Sequence, residues 1–354
     1  MSGQSAVSTQ PKHIAFFRLS ALGDVVLAIP MLKALQKAWP QCRITWITSS
    51  AVYPLLEGLD GIEFLVIKKP QTIKDYLALR KLFKEYQFDI LIAAQASFRT
   101  NLIYPHINAK RKIGFDNGRA KDLHSFFVNE QIAPADEHLA EGFMGFAKHL
   151  GIETPKNKQD FEWQITTSDD DKAWASQQRK GKTYIAINAA ASKAERTWNA
   201  KHYAAFIDAA AKKYACQVVL TGGPADNEVK LAAEIESLAA TQVDNLVGKT
   251  KHKQICALLA EVDCLIAPDT GPAHIAVAMD TPVIGLYAVA RSGLSGPYQN
   301  PDYTVDVYPD AVQAYLGKSF EDAGWHERVH HADAMDLISV DAVMGQLDQV
   351  LSER

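Results

Sequence analysis

The chain has 354 residues, of which 47% are hydrophobic and 22% are charged. This composition is typical of a soluble globular protein, and the length favours two domains over a single compact core. The four cysteines form no C-x-x-C pair, which argues against a zinc site or a disulfide framework and for reduced core residues.

The beginning of the chain and its apolar runs bear on membranes and export. Residues 1–11 are small and polar, so we expect a disordered tail and no signal peptide. No uninterrupted apolar run reaches the length of a membrane span.

Charge is unevenly distributed along the chain. The net charge is −4, yet residues 68–124 hold twelve Lys or Arg against five Asp or Glu, a local balance of +7. This asymmetry indicates either an anionic partner for that half or a set of solvated lysines on helix faces.

The first half alternates between strand and helix patterns. Short apolar or β-branched runs predict strands at residues 13–18, 44–48, 62–67 and 90–94. Helical spacing is seen at residues 24–38, in a short segment near Leu56, and at 137–150. Residues 73–86 form a basic amphipathic segment with an apolar face of Ile73, Leu77, Leu82 and Phe83. Such alternation predicts a parallel, doubly wound sheet.

The pattern breaks into polar residues between 151 and 182, where we place the domain boundary. Asp169 and Asp171 have a D-x-D spacing that is found in metal-dependent transferases. They come directly before a helical run, so we interpret them as helix-capping acids.

The second half repeats the alternation. Strands are predicted at 184–188, 217–221, 245–247, 262–267 and 282–287, and helices at 200–214, 227–238, 254–260 and 339–351. We therefore expect an α/β protein of two Rossmann-like domains, at residues 12–165 and 166–354, facing each other across a ligand-binding cleft. The last helix is a candidate to pack back on the first domain.

The sequence Asp269-Thr270-Gly271-Pro272-Ala273-His274 follows a predicted strand and opens a helix. The N–H groups and positive end of a helix N-terminus favour an anion such as phosphate. Gly271 allows close approach, and Thr270 and His274 add donors, whereas Asp269 is suited to accept from sugar hydroxyls. The motif predicts a nucleotide-sugar site, unless Asp269 only caps the helix.

Asp24 lies in a second strand-to-helix turn, Arg18-Leu19-Ser20-Ala21-Leu22-Gly23-Asp24. This turn has neither the three glycines of a dinucleotide fingerprint nor the G-K-[ST] of a P-loop. Its carboxylate is positioned to take a proton from an attacking hydroxyl, or it only favours the helix dipole.

Two further turns follow strands in the second half. Ser192, Lys193 and Arg196 are suited to neutralise a diphosphate whose charge grows as a glycosidic bond breaks, unless the two cations are only exposed loop residues. Asp226 and Glu228 follow a Gly-Gly-Pro turn and are suited to accept from ribose hydroxyls, or to favour a helix start.

Together, R-L-S-A-L-G-D-V near the N-terminus and D-T-G-P-A-H in the second half resemble the ADP-heptose:lipopolysaccharide heptosyltransferases of glycosyltransferase family 9. The resemblance covers residues 12–352 and is strongest to heptosyltransferase I. It implies the GT-B fold and inverting transfer of L-glycero-D-manno-heptose from ADP-heptose to the inner core, on Kdo-lipid A or a heptosylated core.

The resemblance also assigns roles to residues. Asp24 matches the catalytic base, Asp269 the heptose-binding acid, and Thr270, Gly271 and His274 the surroundings of the ADP phosphates. Arg196 departs from the family, which has Lys there. On the acceptor side the resemblance and the basic half together suggest a larger set of residues: Ser20, Gly23, Lys68, Lys69, Gln95, Lys121 and His138.

The implied enzyme needs no metal or other cofactor and works in the cytoplasm of a Gram-negative bacterium, peripherally at the inner face of the inner membrane. Its partners are ADP-heptose, the lipopolysaccharide acceptor and transiently the membrane, with no nucleic acid. Two alternatives remain open from the residues. One is another GT-B enzyme, such as a UDP-sugar 2-epimerase, and the other is a non-catalytic nucleotide-sugar-binding protein.

Overall fold

The computed structural model describes residues 10–120 and 122–353. The chain folds into two compact units. The first unit comprises the segment ending at Ala21, Ala28–Ala135 and Ala140–Lys156, and the second comprises Leu22–Leu27, Asp136–Leu139 and the chain from Asn157 onward. The sequence predicted the boundary at residue 165, further along the chain than Lys156, where the first unit ends. Phe161 and Trp163, which lie between these two points, pack on Tyr298 of the second unit.

The first unit is built on a six-stranded parallel sheet in the order β3-β2-β1-β4-β5-β6. Its strands are β1 (His13–Phe17), β2 (Arg43–Ser49), β3 (Ile62–Ile67), β4 (Phe88–Ala93), β5 (Ala109–Gly114) and β6 (Glu130–Gln131). The helices of this part of the chain are α1 (Leu22–Leu27), α2 (Ile29–Ala38), α3 (Tyr53–Leu56), α4 (Ile73–Phe83), α5 (Phe98–Asn101) and α6 (Leu139–His149). Helix α1 belongs to the second unit.

The central strand β1 has the burial that is typical of a parallel sheet. Residues 14–17 are fully buried, as expected for a strand covered on both faces by helices. In register, Ile14 pairs with Ile44 of β2 and with Ile90 of β4. The order reverses between β1 and β4, so the crevice at their carboxyl ends is where a doubly wound sheet binds ligands.

The second unit has the same arrangement, in the order β12-β11-β10-β7-β8-β9 with all pairs parallel. Its strands are β7 (Tyr184–Asn188), β8 (Gln217–Thr221), β9 (Asp244–Asn245), β10 (Cys264–Pro268), β11 (Val283–Tyr287) and β12 (Val305–Asp306). Its further helices are α7 (Asp169–Gln178), α8 (Ala200–Tyr214), α9 (Asp226–Leu238), α10 (His252–Glu261), α11 (Gly271–Ala278), α12 (Ser292–Ser295), α13 (Tyr308–Leu316) and α14 (Val340–Ser352). The switch point of this sheet lies between β7 and β10, and the expected pair of Rossmann-like sheets is confirmed.

The C-terminal helix α14 packs on α8 and β11 of the second unit. Its buried residues Val343, Leu347 and Val350 belong to the core of that unit. Ser339 caps its first turn by accepting from the backbone N–H of Ala342 at 3.1 Å. This packing accounts for the buried face of α14, and the suggested packing of this helix on the first domain stays a prediction.

Two local predictions are resolved by capping and proline chemistry. The helix expected at 24–38 is two helices, because Pro30 lies in the first turn of α2, where its missing N–H is tolerated. Ser168 and Asp171 form a capping box at the start of α7, so the D-x-D acids cap a helix as expected.

The described part of the chain has neither a membrane-spanning helix nor a cluster of metal ligands. Within residues 10–120 and 122–353, no helix is long and apolar enough to cross a membrane. In the same residues, no group of three or more His, Cys, Asp or Glu side chains is arranged to hold a metal ion.

Candidate active site

The turn from β10 into α11 carries the D-T-G-P-A-H sequence. Thr270 is the N-cap residue in extended conformation, but its side chain makes no capping hydrogen bond. Among the described residues, neither Thr270 Oγ1 nor His274 Nδ1 has a hydrogen-bond partner, although both atoms are buried. Buried polar atoms of this kind call for an explanation, and the helix N-terminus beside them favours an anion such as phosphate.

Arg196 and Asp269 form a nearly buried ion pair at the switch point of the second sheet. Arg196 Nη1 donates to Asp269 Oδ2 at 2.5 Å, and the two side chains are 13% and 14% exposed. Arg196 Nη2 donates to Ser192 Oγ at 2.7 Å. Arg196 Nε is buried and has no partner within the described residues. The sequence assigned Arg196 to the diphosphate and Asp269 to the sugar, whereas in this structure they hold each other.

The loop that carries Arg196 is fixed at both ends. Thr197 Oγ1 accepts from the backbone N–H of Ala191 at 3.1 Å. Trp198 is fully buried, and its indole N–H donates to the carbonyl of Ile338 at 3.0 Å. Lys193, by contrast, is exposed. The guanidinium of Arg196 is therefore held by a fixed loop, while the flexible stem of Lys193 lets its ammonium follow a ligand.

Helix α1 packs directly on α11, and two glycines allow the close approach. A Cβ on Gly23 would lie 2.5 Å from His274 Cδ2, and one on Gly271 would lie 3.0 Å from Leu22 Cβ. Gly23, predicted to bind the acceptor, and Gly271, predicted to admit a phosphate, are thus explained by helix packing. The contact places Asp24, in the first turn of α1, near His274.

His274 is enclosed by this packing and lies in the field of two carboxylates. Burial lowers its pKa below 6.5, while Asp269 and then Asp24 act in the opposite direction. The net direction is downward, so the imidazole is neutral near pH 7. Asp24, Asp269 and His274 therefore form one electrostatic group in the second unit.

The two acids predicted to bind ribose have different environments. Asp226 is exposed at the start of α9. Glu228 Oε2 accepts from the backbone N–H of Gly223 at 2.6 Å, so this carboxylate holds the Gly-Gly-Pro turn. The structure leaves Asp226 as the better placed of the two for a ligand and gives Glu228 a structural role.

The predicted acceptor residues of the first unit meet at Ser20. Its hydroxyl accepts from Lys69 Nζ at 2.7 Å and from Gln95 Nε2 at 3.4 Å. Gln95 Oε1 accepts from the backbone N–H of Leu19 at 2.7 Å, which ties the end of β4 to the end of β1. Lys68 and Lys69 line a cavity of about 670 Å³ together with Ser49, Ser50 and Gln71. Lys121 lies outside the described residues.

Two arginines near this point were not among the predicted site residues. Burial lowers the pKa of Lys69, and the positive charges of Arg18 and Arg99 lower it further. Both arginines thus lie close enough to Lys69 to repel its ammonium group. Both could have been found from sequence, because Arg18 directly follows β1 at the switch point and Arg99 lies shortly after Gln95, beyond the end of the neighbouring strand β4.

His138, also predicted on the acceptor side, is a buried residue of the second unit. Its Nε2 lies 3.0 Å from the Gly296 carbonyl, and its ring is 4.7 Å from that of Tyr298. Burial, and then the charge on His274, lowers the pKa of His138 to about 3. These contacts give His138 a packing role within the second unit, and its contact with the acceptor stays a prediction.

The sequence of this chain is similar to those of known sugar transferases. A family model described as glycosyltransferase family 9 (heptosyltransferase) matches residues 76–313. Lipopolysaccharide core heptosyltransferase OpsX of Haemophilus influenzae is 34% identical, with 96% of this chain and 97% of that protein covered.

Two solved structures share the fold. A family 9 glycosyltransferase from Veillonella parvula has a TM-score of 0.78 at 21% identity, covering 97% of this chain and 98% of that one. Escherichia coli heptosyltransferase WaaC with ADP has a TM-score of 0.69 at 21% identity, covering 96% and 99%. The family match and the 34% identity disfavour the epimerase and non-catalytic alternatives. The chain belongs to glycosyltransferase family 9, the heptosyltransferases, and is a sugar-transferring enzyme with the GT-B fold.

Proposed function

We propose that this enzyme transfers L-glycero-D-manno-heptose from ADP-heptose to the inner core of lipopolysaccharide, with inversion at the sugar carbon. The observation that carries the proposal is the charge arrangement at the β10–α11 turn. There, a helix N-terminus and the unpartnered Thr270 Oγ1 and His274 Nδ1 adjoin the Arg196–Asp269 pair. The similar structure of WaaC was solved with ADP, which agrees with a nucleoside diphosphate as a ligand of this fold.

In this proposal the donor divides the Arg196–Asp269 pair between its two ends. The diphosphate accepts from Thr270, from the first N–H groups of α11 and from Arg196, with Lys193 adding charge. Asp269 is then released to accept from heptose hydroxyls. Because negative charge on the leaving oxygen is greatest in the transition state, the fixed guanidinium contributes most to the rate at that point.

Asp24 is proposed as the general base. Its carboxylate takes the proton of the acceptor hydroxyl, the oxygen forms a bond to C1 of heptose, and the bond from C1 to the ADP oxygen breaks with its electron pair leaving on ADP. We propose that no metal or other cofactor takes part, since Arg196, Lys193 and the α11 N-terminus can stabilise the leaving diphosphate.

The acceptor is proposed to contact the first unit at Ser20, Gln95, Lys68 and Lys69. An inner-core acceptor such as Kdo-lipid A carries carboxylate and phosphate groups. The mutual repulsion of Lys69 with Arg18 and Arg99 is relieved when such an anion arrives. We propose that the enzyme works in the cytoplasm, peripherally at the inner face of the inner membrane. The +7 balance of residues 68–124 supports contact with an anionic membrane surface.

The test is incubation with ADP-heptose and a panel of truncated lipopolysaccharide acceptors, followed by mass spectrometry of the products and NMR spectroscopy of the new linkage. We expect one acceptor to gain one heptose while one ADP is released, with a linkage of opposite configuration to the donor. Hydrolysis or epimerisation of the donor without transfer to any acceptor would overturn the proposal.

A further inference from the structure

Five apolar side chains of the first unit are exposed on neighbouring segments. Ile73 and Leu77 are on one face of α4, and Phe98 begins α5. Leu123 directly precedes the turn at residues 124–127, and Phe126 lies in it. Their exposed fractions reach 80% for Ile73 and Phe126 and 67% for Leu123. Exposed residues of this size are usually scattered singly, whereas these five form a group.

Hydrogen bonds connect the three segments, so their exposed apolar residues lie on one part of the surface of the first unit. The Tyr76 hydroxyl of α4 donates to the Arg99 carbonyl of α5 at 3.0 Å. The backbone N–H of Phe98 donates to Asp122 Oδ2 at 2.8 Å, and Asn101 Nδ2 donates to the Asp122 carbonyl at 2.8 Å. We call this surface the apolar patch.

The backbone holds Leu123 outward at some cost. Asp122 and Leu123 have φ values of 56° and 60°, in the left-handed region that leucine avoids. Phe127 packs against the core of the first unit, while its neighbour Phe126 points to solvent. Phe127 anchors this turn, and the exposed Phe126 is unfavourable in water. The arrangement is suited to binding an apolar partner surface.

Exposed cations accompany the apolar patch. Lys74, Arg80 and Lys81 lie on α4 with Ile73 and Leu77, and Arg99 follows Phe98. The sequence analysis grouped Leu82 and Phe83 with Ile73 and Leu77 on one apolar face of this segment. That was wrong, because Phe83 is fully buried and Leu82 packs against the core. The apolar surface is formed instead by α4 together with α5 and the residue 122–126 turn.

We propose that the apolar patch docks on an anionic phospholipid surface, with Leu123 and Phe126 entering the boundary between head groups and acyl chains. Apolar side chains beside lysine and arginine are what an interfacial lipid surface binds: the apolar groups enter, and the cations contact the acidic head groups. The charge decides for lipid over a second copy of this chain, whose patch would carry the same positive charge. The inference deepens the proposed peripheral location and rests on the proposed function only for the choice of a bacterial phospholipid.

The experiment measures co-sedimentation with vesicles of phosphatidylcholine alone and of phosphatidylcholine with phosphatidylglycerol, without donor or acceptor. Failure here is thus separate from failure of heptose transfer. The full-length protein is expected to bind the vesicles with phosphatidylglycerol and not the others. The variant Leu123→Asn/Phe126→Ser is expected to bind roughly tenfold more weakly. The variant Lys74→Gln/Arg80→Gln/Lys81→Gln should lose most of the salt dependence of binding.

A matched control is available in the second unit, where Val229 and Leu238 of α9 are exposed apolar residues outside the patch. The variant Val229→Ser/Leu238→Ser should bind vesicles like the unsubstituted protein, and thermal melting should show that all variants are folded. Absence of binding to any vesicle, equal binding by the patch variant, or equal loss by the control would overturn the proposal. A dimer in sedimentation velocity that the patch variant abolishes would also overturn it, in favour of a second copy.

Discussion

The carboxyl ends of the two sheets differ in how charge is arranged. In the second unit, Arg196 and Asp269 are of opposite sign, in contact and nearly buried. In the first unit, Arg18, Lys69 and Arg99 are of one sign and close enough to lower the pKa of Lys69. The second unit's pair combines opposite charges until a ligand divides it, whereas the first unit places Arg18 and Arg99 close enough to act on a third cation, Lys69.

This difference is informative about the two substrates. A nucleotide-sugar brings a diphosphate and neutral hydroxyls together, so a cation and a carboxylate held side by side match its two ends. An acidic acceptor brings only negative charge, so a group of cations matches it. Substitutions in each group test this division of labour, beginning with the residue that would join the two substrates chemically.

The largest effect is expected for Asp24→Asn. The amide keeps the size of the side chain but cannot take a proton, so transfer should fall by about 10²–10⁴. Affinity for ADP should change only a few-fold. Turnover by quenched-flow or mass spectrometry, with ADP binding by calorimetry, measures both. Retention of near-normal turnover would remove Asp24 from the base role and leave it as a helix-terminal charge.

Arg196→Ala breaks the balanced pair in the second unit. Loss of one preorganised donor to developing charge typically costs about 10²–10³ in turnover, so we expect kcat to fall more than ADP affinity. Arg196→Lys introduces the residue of the family and keeps the positive charge, but a lysine cannot donate to both Asp269 and Ser192 as the two guanidinium nitrogens do. Its turnover should therefore lie between those of the unsubstituted enzyme and of Arg196→Ala. Equal losses in affinity and turnover would show that Arg196 only binds the nucleotide.

Much of this comparison could be predicted from the sequence. The alternation of strands and helices predicts two doubly wound sheets, and the two switch points then bring Ser20 near Gln95 and Arg196 near Asp269. The pairing within those groups could not be predicted. Burial of His138, the use of Glu228 by a backbone N–H and the packing of Gly23 on His274 depend on tertiary contacts that no local pattern encodes.

Gly23→Ala should separate helix packing from acceptor binding. A methyl group here would meet His274 Cδ2 at 2.5 Å, so α1 or His274 must shift. Overpacking of this kind usually costs about 1–3 kcal/mol, and displacement of Asp24 should reduce kcat at least roughly tenfold. Gly345→Ala in α14 is the control, because nothing lies within 4 Å of its added Cβ and the unfolding free energy should rise slightly. An active, equally stable Gly23→Ala variant would contradict the packing explanation.

Acid should destabilise both units through buried histidines. Burial lowers the pKa of His138 in the second unit to about 3 and that of His124 in the first to about 4, against 6.5 when exposed. Below pH 6.5 each histidine binds a proton in the unfolded chain but not in the folded chain. The free energy of unfolding is therefore unaffected by these groups above pH 6.5 and decreases as the pH falls toward the folded pKa. The slope is about 1.4 kcal/mol per pH unit per histidine. Urea unfolding at about pH 7.5, 6.5 and 5.5 should show a flatter dependence for His138→Gln and for His124→Gln, and unchanged slopes would refute the buried neutral imidazoles.

The smallest effect is expected at the other end of the comparison, for Lys69→Gln. Removing the charge of Lys69 lowers the attraction for an acidic acceptor but also relieves its repulsion with Arg18 and Arg99 in the free enzyme, so the two effects partly cancel. We therefore expect the KM for acceptor to rise roughly three- to fivefold, equivalent to about 1 kcal/mol or less, and to depend less on salt. The KM for ADP-heptose should stay constant, because Lys69 belongs to the first unit and donates to Ser20 there. Lys201→Gln, an exposed lysine of the second unit, controls for a general change in net charge. A rise in the KM of both substrates, or the same rise with Lys201→Gln, would mean that the surplus of positive charge in the first unit does not select the acceptor.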